Sequence, residues 1–255
     1  MEKQLITIRA TGRVTRVLKQ ALPQGFRGVY KINIVGSTGA GKTEFLRRLL
    51  GDLFQPTTEA RRRAGTENVV DATHTWFRIG KAREESTTTV SLNTVGILLV
   101  RTLFNSIEFH PVKKVDELLL RDDIEEIWQF VFFDNAGQER FDFMPQITMR
   151  GADVVIVLAD GTNMASIEKI SYFLELTREE EYRANDGIDR IPVFILLNKK
   201  DLIERGCYIG LENVRHMIGS REYEYFETSM KTGEGVDDTI RTLISTLHEK
   251  AIEKK

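Results

Sequence analysis

One stretch restricts this chain to a narrow set of folds. Val29-Tyr30-Lys31-Ile32-Asn33-Ile34-Val35 is apolar and β-branched enough for a buried strand, and it runs straight into Gly36-Ser37-Thr38-Gly39-Ala40-Gly41-Lys42-Thr43. Glu44-Phe45-Leu46-Arg47-Arg48-Leu49-Leu50 follows with helical periodicity. A strand, a loop spelling G-x-x-x-x-G-K-[ST] and a helix, in that order, form a phosphate-binding unit. Gly36, Gly39 and Gly41 let successive N–H groups turn inward around a pyrophosphate. The helix start adds unpaired N–H groups and partial positive charge. Lys42 is expected to reach the β- and γ-phosphate oxygens, and the Thr43 hydroxyl to ligate Mg²⁺, which takes few protein ligands. The four fixed positions match by accident in roughly one chain in a hundred of this size, so a nucleotide site is expected here.

Composition narrows the remaining possibilities. With 255 residues and 41% apolar content, the chain can bury a sizeable core as one domain carrying insertions. A net charge of −2 gives no electrostatic reason to expect nucleic acid as a partner. The single cysteine, Cys207, excludes an internal disulfide and fits a reducing compartment. No run approaches the roughly 18 apolar residues of a spanning helix. Met1-Glu2-Lys3-Gln4 reads as neither a signal peptide nor a myristoylation site, and Ile252-Glu253-Lys254-Lys255 is not a prenylation box. The expectation is a cytoplasmic protein with no direct membrane anchor, monomeric by default.

Residues 1–28 read as an N-terminal extension in which Leu5, Ile6, Ile8, Val14 and Val17 alternate around Gly12. That pattern fits a hairpin added to a sheet edge, with a partner-binding arm as the alternative. The nucleotide-binding domain is expected over 29–255, with insertions near 52–86 and 104–126. The first insertion holds the Arg61-Arg62-Arg63 run, read as a solvated face, and His74, which has no second ligand at metal-binding spacing. A loop of that length in a compact domain is functional or mobile. The second insertion has room for a short amphipathic helix over 115–120.

Strands and helices alternate thereafter. Residues 87–100 read as a loop running into a long strand, further strands are expected over 127–133, 154–159, 191–197 and 223–227, and helices from Ser166, near 211–218 and from Val236. The uninterrupted run Val154-Val155-Ile156-Val157-Leu158-Ala159 is that of a parallel strand covered on both faces. This alternation predicts an α/β fold, a doubly wound and mostly parallel six-stranded sheet with helices on both faces. Three charged loops leave strand C-termini, the edge where such sheets bind ligands. They are Asp134-Asn135-Ala136-Gly137-Gln138-Glu139-Arg140, Asn198-Lys199-Lys200-Asp201 and Thr228-Ser229-Met230-Lys231. A carboxylate at Asp134, one strand from the phosphate loop, is placed to hold a metal through water. The Gly137 N–H is placed to meet a γ-phosphate and Gln138 to orient an attacking water.

Together these residues resemble the Ras-like small GTPases over about residues 29–250. Gly36 to Thr43 is similar to their phosphate loop, and the run from Asp134 to Glu139 differs from D-T-A-G-Q-E by one residue, Asn135. Asn198-Lys199-Lys200-Asp201 resembles the N-K-x-D guanine box, and Glu227-Thr228-Ser229-Met230-Lys231 the E-T-S-A-K box. The resemblance implies GTP or GDP with Mg²⁺ as ligands, and protein effectors and regulators as partners. It implies that Asp201 accepts the N1–H and 2-amino hydrogen bonds of guanine, a pattern adenine lacks. Asn198 would brace the base and its loops, the Lys199 stem would pack along the base, and Ser229, Met230 and Lys231 would line it. Ser37, Thr38, Gly39 and Ala40 would wrap the phosphates. Thr89, followed by Val90-Ser91-Leu92-Asn93-Thr94, aligns best with the switch threonine that joins Mg²⁺, with Thr87 and Thr88 as alternatives.

Two features depart from that pattern. Lys42 and Asp134 stand 92 residues apart, roughly double the separation in compact Ras-like domains, so the first switch region is remodelled. Thr38 occupies a loop position often held by glycine. The expected function is a GTP-hydrolysing molecular switch, with Gln138, Lys42 and Thr89 as its catalytic residues, slow without an activating partner. Arg83 is a weak candidate for an arginine acting in cis. A GTP-stabilised binding module with little turnover is the alternative, and a phosphate-loop ATPase or kinase a weaker one.

Overall fold

The computed structural model describes residues 5–10, 13–18, 26–50, 74–78, 91–104, 107–111, 115–118, 120–135, 143–185, 190–219 and 223–253. Strand β3 (Phe26–Gly36) delivers the phosphate loop to helix α1 (Lys42–Leu50). After it come β7 (Ile124–Asp134), β8 (Val154–Asp160), β9 (Val193–Asn198) and β10 (Glu224–Glu227), all parallel to one another. Strand β5 (Ser91–Thr102) lies antiparallel against β7. These six strands are ordered β10-β9-β8-β3-β7-β5, and with five of them parallel they form the mostly parallel six-stranded sheet that the alternation predicts.

Among the described residues the sheet has eight strands, because each insertion supplies one more. Strand β4 (His74–Arg78) pairs with Ser91–Val95 of β5, and β6 (Ile107–Pro111) with Ile97–Arg101. Both occupy the outer edge of β5, end to end. Backbone groups that an open edge would expose are thereby paired. The insertion also carries the short helix α2 (Val115–Leu118), where one was expected. Strands β1 (Leu5–Ala10) and β2 (Arg13–Leu18) pair antiparallel as a two-stranded sheet. The sequence suggested such a hairpin added to a sheet edge; among the described residues the pair forms a sheet of its own.

The remaining helices are α3 (Phe143–Met149), α4 (Met164–Asn185), α5 (Leu211–Ile218) and α6 (Val236–Glu253), with a 3-10 turn over Lys200–Arg205. Strand β8 shows why the sheet is wound on both faces. Val154, Ile156 and Leu158 enter the core beneath α1 and α6, while Val155, Val157 and Ala159 enter the one beneath α4 and α5. Removing a large buried aliphatic side chain from such a core costs roughly 2–5 kcal/mol.

Register carries the site residues to one edge. Ile34 of β3 stands opposite Asp134, Gly36 opposite Leu158, Asp160 opposite Asn198, and Glu227 opposite Leu197. The carboxyl ends of five parallel strands therefore lie together at one edge of the sheet.

Candidate functional site

The loop after β3 is fixed by close backbone approaches. A Cβ on Gly36 would lie 2.1 Å from the Leu158 carbonyl oxygen, and one on Gly41 2.3 Å from Asn198 Nδ2. With φ of 147° and 105°, both positions also require glycine conformationally. Lys42 folds back beneath the loop and donates to the Gly36 and Ser37 carbonyls at 2.8 and 2.9 Å. Burial lowers its pKa to about 8 against the opposing pull of Asp134. A lysine ammonium has three donors, so this geometry braces the loop and aims the head group along it.

The Thr43 hydroxyl donates to Asp134 Oδ2 at 2.8 Å, and Asp134 is fully buried. A hydroxyl and a carboxylate set side by side, both hard oxygen donors, suit Mg²⁺. The sequence placed both residues in that role, and the fold brings them together across 91 residues.

The base side is built around Asn198. Its Nδ2 donates to the Ala40 carbonyl at 2.8 Å, and its Oδ1 accepts from the Met230 N–H at 2.9 Å. One buried amide thus joins the phosphate loop to the loop after β10. Lys199 takes a left-handed conformation, with φ of 70°, and its ammonium pairs with Asp160 at the end of β8. Burial alone would raise the Asp160 pKa, but Lys199 and Thr162 outweigh it and hold the carboxyl below its ordinary value. Ser229 Oγ donates to Asp201 Oδ1 at 2.7 Å and accepts from the Thr232 N–H at 3.1 Å. Ser229 therefore orients the carboxylate with its side chain. The Lys231 ammonium stands 3.8 Å from Asp201 Oδ2 on a largely exposed side chain.

A family model described as Ras family matches residues 114–249. The chain belongs to the Ras family. Membership makes it a small GTPase. The chain is 25% identical over 236 residues to Ras-related protein Rab-3C of Bos taurus, covering 92% of this chain and 78% of that protein. It is 26% identical over 217 residues to Ras-related protein Rab-18 of Caenorhabditis elegans, covering 85% and 79%. To Ras-related protein Rab-36 of Mus musculus it is 28% identical over 160 residues, covering 60% and 58%.

For this Ras-family chain, the described residues unite Gly36 to Thr43, Asp134, Asn198, Lys199, Asp201 and Ser229 to Lys231 at one sheet edge. Gly137 and Gln138, the competing Thr87, Thr88 and Thr89, and Arg83 lie outside the described residues. Strand β5 begins at the same edge, with Asn93 opposite Asp134.

Some contributors escaped sequence reasoning. Arg48 of α1 donates from Nε to the Met230 carbonyl at 2.9 Å and from Nη2 to that of Lys231. Its partners lie more than 180 residues away, so no local pattern announces it. Asp160 did leave a signal, a carboxylate closing an otherwise apolar strand.

Proposed function

We propose that this protein is a cytoplasmic guanine-nucleotide switch that hydrolyses GTP to GDP and phosphate and reports its state to protein effectors. The observation that carries this reading is Asn198, whose side chain joins the Ala40 carbonyl of the phosphate loop to the Met230 N–H of the base loop. A ligand spanning triphosphate and base would bind across that joint. Asp201, oriented by Ser229, supplies a carboxylate for the guanine N1–H and 2-amino group, and adenine would leave it unsatisfied. Lys42 balances charge on the β- and γ-phosphate oxygens, and Gln138 places water for in-line attack. Mg²⁺, held by Thr43, Thr89 and Asp134, would neutralise charge on those oxygens when bound. Loss of the γ-phosphate withdraws the contacts of Thr89 and the Gly137 N–H, and partners sense that change.

The second reading, a GTP-held module with little turnover, is favoured by Thr38, whose side chain stands exposed on the phosphate loop. Identification of the copurifying nucleotide, then phosphate release from GTP and ATP by the wild type and Gln138→Leu, separates the two. Guanine nucleotide with slow release that the substitution abolishes is the expected result. Bound GTP without turnover in either protein establishes the module instead. Adenine nucleotide overturns the role given to Asp201.

A further inference from the structure

Asn135 is the residue by which the run from Asp134 to Glu139 departs from the family's D-T-A-G-Q-E. Its side chain is buried and points away from the nucleotide edge into a polar circuit. Nδ2 donates to Asn33 Oδ1 at 2.6 Å and approaches the Ile34 and Phe133 carbonyls at 3.0 and 3.3 Å. Oδ1 accepts from Thr148 Oγ1 at 2.7 Å. The amide orientation is determined, because a flipped amide would set its oxygen against three acceptors. Asn33 Nδ2 in turn meets the Met149 sulfur at 3.5 Å, and Thr148 and Met149 are neighbours in α3. The circuit therefore closes from β3 through Asn135 to α3 and back to β3.

All four residues, Asn33, Asn135, Thr148 and Met149, are at most 1% exposed. In so dry a setting each hydrogen bond is strong and each lost partner is costly. Packing alone does not call for this arrangement, since apolar side chains of like size would fill the same space without any need for pairing. What the circuit adds is position. It ties the strand that ends in the phosphate loop to the helix beyond the stretch carrying Gly137 and Gln138, and it does so from the residue next to Asp134.

We propose that Asn135 is a positioning residue that, through Asn33 and Thr148, fixes helix α3 to the phosphate-loop strand, so that α3 and the Asp134 end of β7 respond to nucleotide as one body. This rests on the reading of the chain as a GTP-hydrolysing switch. Thr148 Oγ1 also has the Pro145 carbonyl at 3.3 Å, an acceptor within its own helix. Loss of Asn135 thus leaves the hydroxyl a partner while removing the Asn135 link between α3 and β3, so that only the weaker Asn33–Met149 sulfur contact remains of the circuit.

The test uses the full chain carrying Asn135→Thr, Thr148→Val, both together, or Thr148→Ser, loaded with GDP and Mg²⁺. Hydrogen exchange of the α3 amides, GDP affinity and single-turnover GTP hydrolysis are read on each. Asn135→Thr and Thr148→Val are each expected to speed α3 exchange about tenfold and to slow single turnover about tenfold, with GDP affinity kept within about twofold. The double variant should be no worse than either single one, because both break the same link. Thr148→Ser, which keeps the hydroxyl, should behave as wild type. Unchanged α3 exchange, additive effects, or a Thr148→Ser variant as impaired as Thr148→Val would overturn the proposal. If the wild type neither holds GDP nor hydrolyses GTP, the switch reading fails. The exchange arm on the unloaded chain then still decides whether Asn135 anchors α3.

Discussion

The Thr43 hydroxyl donates to the Asp134 carboxylate at 2.8 Å, so the first turn of α1 and the last residue of β7 are already in register as neighbouring oxygen donors. If that pair holds Mg²⁺ beside the phosphates, damage to it should show only when the ion is present. Thr43→Ala and Asp134→Asn are expected to speed GDP release about 10- to 100-fold in millimolar Mg²⁺. In excess chelator the variants and the wild type should release GDP at similar rates. A difference that persists undiminished without Mg²⁺ would mean the pair acts on the loop rather than through the ion.

Arg48 offers a test on the base side. Its guanidinium reaches two successive carbonyls, those of Met230 and Lys231, a geometry that suits the planar fork of arginine and not the single ammonium of lysine. The side chain is exposed, so the bonds are screened and worth about 1 kcal/mol together. Arg48→Ala is expected to speed GDP release roughly fivefold. Arg48→Lys should recover little of that loss. Stopped-flow release of a fluorescent GDP analogue measures both, and equal rates for all three proteins would remove Arg48 from the site.

How much of this was legible depended on how local each signal is. The phosphate loop was readable because glycine, lysine and threonine must stand at fixed spacing to wrap a phosphate, and the run from Val154 to Ala159 because burial on both faces forbids polar residues. Strand β4 was hidden because His74-Thr75-Trp76-Phe77-Arg78 is only five residues long and lies in a polar segment. Strand β6 ends on Pro111 after a similarly short alternation. Helix α3 left little signal because it is only 7 residues long and holds Pro145, a residue tolerated in a first turn whose N–H groups have no intrahelical acceptor. Asn33 looked like an ordinary polar residue in a strand. Its partner Asn135 is 102 residues away, and only the pairing of β3 with β7 reveals the circuit.

Lys31 gives a pH dependence whose sign follows from its surroundings. Its ammonium donates to the Arg150 carbonyl at 2.7 Å and lies 4.6 Å from the centre of the Phe133 ring. Burial lowers its pKa to about 8, while Glu180 and Asp153 pull the other way. Unfolded, the same group titrates near 10.5. Between those values the unfolded chain binds more protons than the folded one, so this group makes stability rise with pH across the window. Below about pH 8 the charged form is present in both states and the full penalty applies. The shift corresponds to on the order of 1–3 kcal/mol. Lys31→Met keeps the stem and removes the titration. The stability of the wild type relative to Lys31→Met, from denaturant melts, should therefore improve by that amount from pH 7 to pH 10.5. A difference that stays flat across that range would show that the carbonyl, the ring and the two carboxylates already compensate the burial of the charge.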